Sequence, residues 1–575
     1  MNAWLHAGSV EKLKEEKATV IKSGIAVFCQ EDQVYAVDNR CPHMGFPLHM
    51  GSLCEGILTC HWHHARFDVS SGGTLDPWAD DVRTYEVKIE AGEVWINPAS
   101  RPSDQREEHM SDLQKGLAQN LELVIAKAVV GLIKAKVPNA DIVRAGIMFG
   151  TSHRSRGWGP GLTILAAMAN ILPKLDEEGQ IQALYQGLSH VAHDCAGEPP
   201  QHLIGPLTGF EGKVERLRSW YRQCIEVRDR QGAERVLQTA IEKELRGNVL
   251  SDMMITAATD HFYIDEGHTL DFHNKAFEVL DHIGEEGTIQ VLSSLPPLFT
   301  TAARSEEQQH WQAPINLVKP LHEAFEKLKV MPEKGSSPFD EAEFLDILLS
   351  ERPLTMIDHL TQLLMSGADP VRVGQVLALA GAERIVRFNS QNEFSDWITV
   401  LHTFSHAHAV HERLRHSSEK AVYRALYHGA VSIYLNHFLN VPAVRRPSPT
   451  DTPSETMKAS GLLELLNKQQ QVNQAGKWVV QYIEQNGDEA ELFNTLGHAL
   501  LREDANFHTY QMYEAASTEY DRWADEDSPF AKKAKETLLI ALARYLAAHA
   551  PTARKMPHTG KIAHRLYRGE KLFEG

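Results

Sequence analysis

Two short segments near the start of the chain carry residue types suited to holding a metal. Cys41-Pro-His43 is followed, after sixteen residues, by Cys60-His-Trp-His63. Thiolates and imidazoles are the side-chain donors that transition metals favour. Each segment offers one of each, as C-x-H and C-x-x-H. Two loops facing each other could present all four donors to one centre. A zinc site is one reading of two Cys and two His. Zinc motifs usually keep like ligands together, as C-x2-C and H-x3-H, whereas here Cys and His alternate.

A second population of candidate ligands lies further along the chain, where histidine is frequent (30 of 575 residues). His402 and His406 are one helical turn apart within Leu401-His-Thr-Phe-Ser-His-Ala-His-Ala-Val-His411. His190 and His193 are three apart, with Asp194 adjacent, and Asp504 precedes His508 by four. His261, Asp265 and His268 are spaced i, i+4, i+7, which predicts one shared helix face. Imidazole and carboxylate are the ligands of non-haem iron, and helical bundles build such sites from inward-facing pairs on several helices. The residues expected to contribute to a second iron are His190, His261, Asp265, His268, His402, His406 and His508. The competing reading makes each of them an ordinary solvated or core histidine.

The first segment pair resembles the Rieske [2Fe–2S] family over residues 1–98. Gly45, Gly51 and Gly56 accompany the pairs, and Arg66-Phe-Asp68, Gly72-Gly73 and Pro77 follow them. The resemblance implies a cluster with two thiolates on one iron and two imidazoles on the other, held by Cys41, His43, Cys60 and His63. Rieske proteins of respiratory complexes carry an extra cysteine in each loop, joined as a disulfide. Phe46 and Trp62 stand at those positions here. The chain is thus similar to the Rieske ferredoxins and the Rieske domains of oxygenases, which implies a potential toward the low end of the Rieske range, roughly −150 mV. His61 and His64 depart from the family, which usually has Pro before the Trp and Gly after the second His. They either line the exposed cluster edge or simply face solvent. Asp265-x2-His268-x4-His273 also matches the D-x2-H-x4-H spacing of the iron site in Rieske ring-hydroxylating oxygenases. In one continuous helix, however, positions 268 and 273 point about 140° apart.

Short β-branched and aromatic runs surround the first motif: Ala18–Lys22, Gly24–Phe28, Gln33–Val37 and Glu93–Ile96. They predict an all-β domain. Residues 99–111 are polar, with Pro102 among them, and read as a linker. Beyond 112 the apolar period becomes helical, as in Leu121–Lys136, Leu162–Leu175, Ile181–Cys195, Val214–Lys243 and Ala531–His549. The expected fold is therefore multidomain: an all-β Rieske domain at 1–98 and a large all-α region divided at 112–335 and 336–575. That division rests on a weak internal repeat. Ala183-Leu-Tyr-Gln-Gly187 recurs as Ala425-Leu-Tyr-His-Gly429, Thr163-Ile-Leu165 as Thr399-Val-Leu401, and Phe272-His273 as Phe507-His508. The offsets are 242, 236 and 235, too long for a solenoid. In that register His402 and His406 match Ala166 and Asn170.

A net charge of −18 argues against a general nucleic-acid binder. The sequence has no apolar run of 18 residues, so no membrane span is expected. The first residues have no signal-peptide core. Six cysteines without a disulfide pattern suit a cytoplasmic location.

A Rieske centre moves single electrons and needs a partner site. One expectation is an oxygenase-type oxidoreductase, with the cluster feeding a non-haem iron in the helical region that activates O2 against a small organic substrate. The alternative is an electron-transfer protein whose helical part serves docking, oligomerisation or redox sensing. Either requires an electron donor such as a ferredoxin or flavin reductase. A homo-oligomer is compatible with both.

Overall fold

The computed structural model describes residues 4–22, 24–99, 105–331, 335–417, 419–448, 456–570 and 572. The chain divides into two compact units. One comprises Met1–Ile142 with Met556–Gly575, the other Val143–Lys555.

The described residues of the first unit contain nine strands: β1 (Leu5–Ser9), β2 (Ala18–Ile21), β3 (Ile25–Gln30), β4 (Gln33–Asp38), β5 (Ser52–Cys54), β6 (Ile57–Thr59), β7 (Arg66–Asp68), β8 (Thr84–Glu90) and β9 (Glu93–Asn97). Six form an antiparallel sheet in the order β1-β9-β8-β4-β3-β2, and β5-β6-β7 form a smaller one. Four of these strands coincide with the β-branched runs of the sequence. The others are too short or too polar to signal themselves, and β1 leads directly into helix α1 (Val10–Glu16), capped by Ser9. Phe28 and Val37 of the larger sheet, Leu58 and Phe67 of the smaller one and Leu48 form one core together with Cys41 and Cys60.

Two helices follow in the same unit, α2 (Gln105–Gln119) and α3 (Glu122–Lys134). Residues 105–111, expected as linker, are therefore helical. The C-terminal helix Lys555–Tyr567 also returns to this unit, which periodicity alone could not reveal.

The second unit is helical. Four helices form its centre: α4 (Pro160–Ile171), α5 (His268–Ile283), α6 (Phe394–Leu414) and α7 (Phe507–Arg522). Helix α4 packs on α5 and α7, and α6 packs on the same two. The repeated segments fall on these helices and their neighbours. Thr163 lies on α4 and Thr399 on α6; Phe272 lies on α5 and Phe507 opens α7. Ala183 and Ala425 lie on flanking helices, Glu177–Asp194 and Arg424–Leu435. The periodic run 214–243 divides into Val214–Glu226 and Arg230–Glu242, because Arg228 turns left-handed (φ 59°) and Asp229 caps the second helix. No described helix is long and apolar enough to cross a membrane.

Candidate metal centres

Both cluster loops of the first unit share one backbone device. Cys41 N–H donates to Phe46 O and Cys60 N–H to Ala65 O, each at 2.8 Å. Gly45 N–H returns to Cys41 O and His64 N–H to Cys60 O, at 2.7 and 3.0 Å. The fourth residue after each cysteine must then be left-handed. Gly45 (φ 82°) meets this without a Cβ, whereas His64 adopts it as a non-glycine (φ 63°). The departure at position 64 is thus a side chain in a glycine-type turn, exposed to solvent.

The four donors converge. Cys41 and Cys60 are buried, 2% and 1% exposed, and their thiols hydrogen-bond to each other. That bond, opposed by burial and aided by the N–H groups of Trp62 and His63, lowers the Cys60 pKa to about 6. The same thiol–thiol bond raises Cys41. The His43 and His63 rings lie 4.9 Å apart edge-on, and His43 Nδ1 is buried without a hydrogen-bond partner. Burial pushes His43 down to about 4, keeping it neutral and ready to ligate. Two thiols and a partnerless buried imidazole nitrogen, facing a more exposed one, suit the donor set of a Rieske cluster.

The flanking residues brace these loops. Arg66 grips Asp76 through its backbone N–H, Nε and Nη2 at 2.8–3.1 Å. Asp68 accepts from the amides and hydroxyls of Ser70 and Ser71. A Cβ on Gly72 (φ 84°) would come within 2.0 Å of Val82 O. Phe46 and Trp62, which stand where the respiratory proteins have their disulfide, touch ring to ring at 5.9 Å.

In the second unit three of the seven candidate histidines and carboxylates meet. One ring nitrogen from each of His268, His402 and His508 lies within 4.8 Å of the others. His402 Nε2 and His508 Nε2 are 2.9 Å apart. The three side chains come from α5, α6 and α7. Carboxylates engage two of the rings: Asp271 Oδ2 is 3.1 Å from His268 Nδ1, and Glu266 Oε2 is 3.1 Å from His402 Nδ1. Asp271 also accepts from Ser405 Oγ and Gln511 Nε2. Such partners fix the tautomer and orientation of ligating imidazoles. Burial and the two neighbouring imidazoles push His508 down to about 2, so it stays neutral. Burial opposes the charged form of His268, but Asp271 outweighs it and raises the pKa.

The other candidates lie elsewhere. Residues 261–267 are not a continuous helix: Tyr263, Asp265, Glu266 and Gly267 all have positive φ, and α5 begins only at His268. The shared face expected of His261, Asp265 and His268 is therefore not formed. Instead His261 bridges Glu306 and Glu226 at 2.7 Å each. His406 turns its Nε2 toward Ala425 O and its ring against Tyr263. His190 is set edge-on against Tyr510. His273 is fully buried beside Phe277 and Phe299. The repeated bend at 263–267 broke the helical register, and its mixed polarity hid it. Glu266 was missed for the same reason: nothing in its spacing ties it to His402.

A cleft of about 470 Å³ opens beside one of the three histidines, His402, and is lined also by Tyr263, Glu266, Trp311, Leu435 and Phe438. Deeper among the same helices lies a charged lattice. Lys275 Nζ, 3% exposed, pairs with Glu278 and Glu514 at 2.7 and 2.6 Å. His408 and His411 share Glu519, and Arg522 forks onto Glu412. His408 with these carboxylates has metal-like proximity. Lys275, Arg413 and Arg522 already supply three cations against four glutamates, and Glu519 outweighs burial to raise His408. A protonated His408 would balance the lattice.

The Rieske [2Fe-2S] domain family matches residues 3–86. Human apoptosis-inducing factor 3 is 36% identical over 70 residues, which is 12% of this chain and only 12% of that protein's length. The ferredoxin component of the naphthalene 1,2-dioxygenase/salicylate 5-hydroxylase systems of Ralstonia sp is 34% identical over 97 residues, or 16% of this chain and 93% of the ferredoxin. Its counterpart in the naphthalene 1,2-dioxygenase system of Pseudomonas aeruginosa is 33% identical over 98 residues, covering 94% of that protein. Among solved structures, the ferredoxin of carbazole 1,9a-dioxygenase from Nocardioides aromaticivorans IC177 is 29% identical, with a TM-score of 0.16, and covers 17% of this chain and 99% of that one.

Proposed function

Since the N-terminal part of this chain belongs to the Rieske [2Fe-2S] family, and its Rieske domain implies a [2Fe–2S] cluster, we propose that the chain is an oxidoreductase that delivers electrons from that cluster to one iron held by His268, His402 and His508. Iron bound there would supply oxygen activation against a small organic substrate. The protein residues do the rest. Asp271 and Glu266 orient two imidazoles, and Gln511 and Ser405 hold the Asp271 carboxylate. The cleft with Trp311, Leu435 and Phe438 receives an apolar molecule beside His402 and limits water around it. The observation that carries this reading is the meeting of three imidazole nitrogens from three separate helices, with carboxylates against two of them. The reading keeps the duplication of the helical region, expected at 112–335 and 336–575 and here confined to the second unit, Val143–Lys555, and a cytoplasmic reductase as donor.

Iron and acid-labile sulfide analysis of reconstituted full-length protein tests it. Three irons to two sulfides per chain is the expected ratio, falling to two irons in a His402→Ala, His508→Ala variant with an unchanged Rieske spectrum. Two irons in fully loaded wild-type protein would remove the proposal.

A second reading has its own support. The curated relatives described above match over the Rieske part alone, and several are ferredoxin components of dioxygenase systems. On that reading the chain carries electrons to a separate oxygenase, and its helical unit docks or oligomerises. It predicts no oxygen uptake with reductant and organic substrate in the absence of another protein.

A further inference from the structure

The first ligand loop is fastened to residues beyond the Rieske family match at 3–86. Arg40, immediately before Cys41, donates Nη1 to Leu566 O at 2.7 Å and Nη2 to Glu570 O at 2.6 Å. Lys127 of α3 donates Nζ to Pro42 O at 3.2 Å. Pro42 lies between the ligands Cys41 and His43. The same ammonium pairs with Asp80 Oδ2 at 2.5 Å, and both groups are largely buried, at 12% and 25% side-chain exposure. Asp80 follows Trp78, whose ring meets His43 at 4.7 Å.

A fixed charge at this distance acts on the cluster through a poorly screened medium. Reduction adds one electron to the cluster. A neighbouring cation therefore favours the reduced form and raises the midpoint potential, and a neighbouring anion lowers it. Lys127 bonds the ligand loop itself, while Asp80 reaches the loop through Lys127. Of the pair, the cation is the one that holds a hydrogen bond to the ligand loop.

We propose that Lys127, contributed from outside the Rieske fold, is a tuning residue that raises the reduction potential of the cluster, with Asp80 opposing it. It acts through the ligand loop and touches no reacting atom. Its consequence is a cluster that loads an electron more readily from a donor and releases it with less driving force than one lacking the cation.

Redox titration of full-length holoprotein, followed by the Rieske visible and EPR signals, tests this in two directions. Lys127→Met leaves Asp80 alone beside the loop and shifts the midpoint potential downward. Asp80→Asn leaves the cation alone and shifts it upward. The double variant returns toward wild type. If both single variants leave the potential in place, the proposal fails. If both move it in the same direction, the cause is loop distortion rather than charge, and the proposal fails equally. Should Lys127→Met not hold a cluster, Lys127→Gln and Asp80→Asn carry the same opposed test.

Discussion

His64 holds a left-handed backbone where Gly45 holds the equivalent turn in the other loop. A Cβ in that conformation costs about 1–2 kcal/mol, offset in part by the greater unfolded-state freedom of glycine. His64→Gly is therefore expected to stabilise the first unit by up to about 1 kcal/mol, read as a rise in thermal midpoint with an unchanged cluster spectrum. Gly72→Ala should do the opposite, because its Cβ would strike the Val82 carbonyl. Titration is a second effect at this scale. Burial pushes His190, His406 and His549 down to about 4. Their folded pKa lies below the unfolded value near 6.5, so the unfolded chain binds more protons below that pH. The stability they contribute is complete above about pH 6.5 and is lost as pH falls toward 4, by up to about 1.4 kcal/mol per pH unit for each group. Thermal midpoints measured from pH 8 to 4.5 should decline on the acid side. A flat profile would show that these rings titrate normally.

Helices decide which histidines meet. His402 and His508 were legible as ligands because each has a partner at helical spacing, and the strict alternation of Cys and His made the Rieske loops legible outright. The three-histidine site as a whole was not, because it depends on α5, α6 and α7 packing together across more than 200 residues of chain. The bend at 263–267 defeated the expected face of His261 and Asp265, since four positive φ values among five residues leave no mark in an apolar period. The charged lattice was equally hidden: i,i+3 spacing of Lys275 and Glu278 does not distinguish a buried pair from a solvated one, yet Lys275 is 3% exposed. Lys275→Met strands Glu514 and Glu278 without their cation. Removing one partner of such a buried pair typically costs about 3–5 kcal/mol. Urea denaturation should show a loss of that order, and a loss below about 1 kcal/mol would mean that water reaches the lattice.

The whole molecule joins a β-rich Rieske unit, extended by α2, α3 and the C-terminal helix, to a large helical unit. Composition and period gave this division of classes, whereas the return of the C terminus to the first unit needed the structure, because a helix of mixed polarity does not announce its partner. The account as a whole rests on the second unit holding one iron of its own. An anomalous-difference map collected across the iron edge from crystals of the fully loaded protein tests that most directly. Two peaks at Cys41, His43, Cys60 and His63 and a third among His268, His402 and His508 are predicted. A map with the cluster peaks alone, or with the third peak at the Glu278–His408–Glu514 lattice, would contradict it.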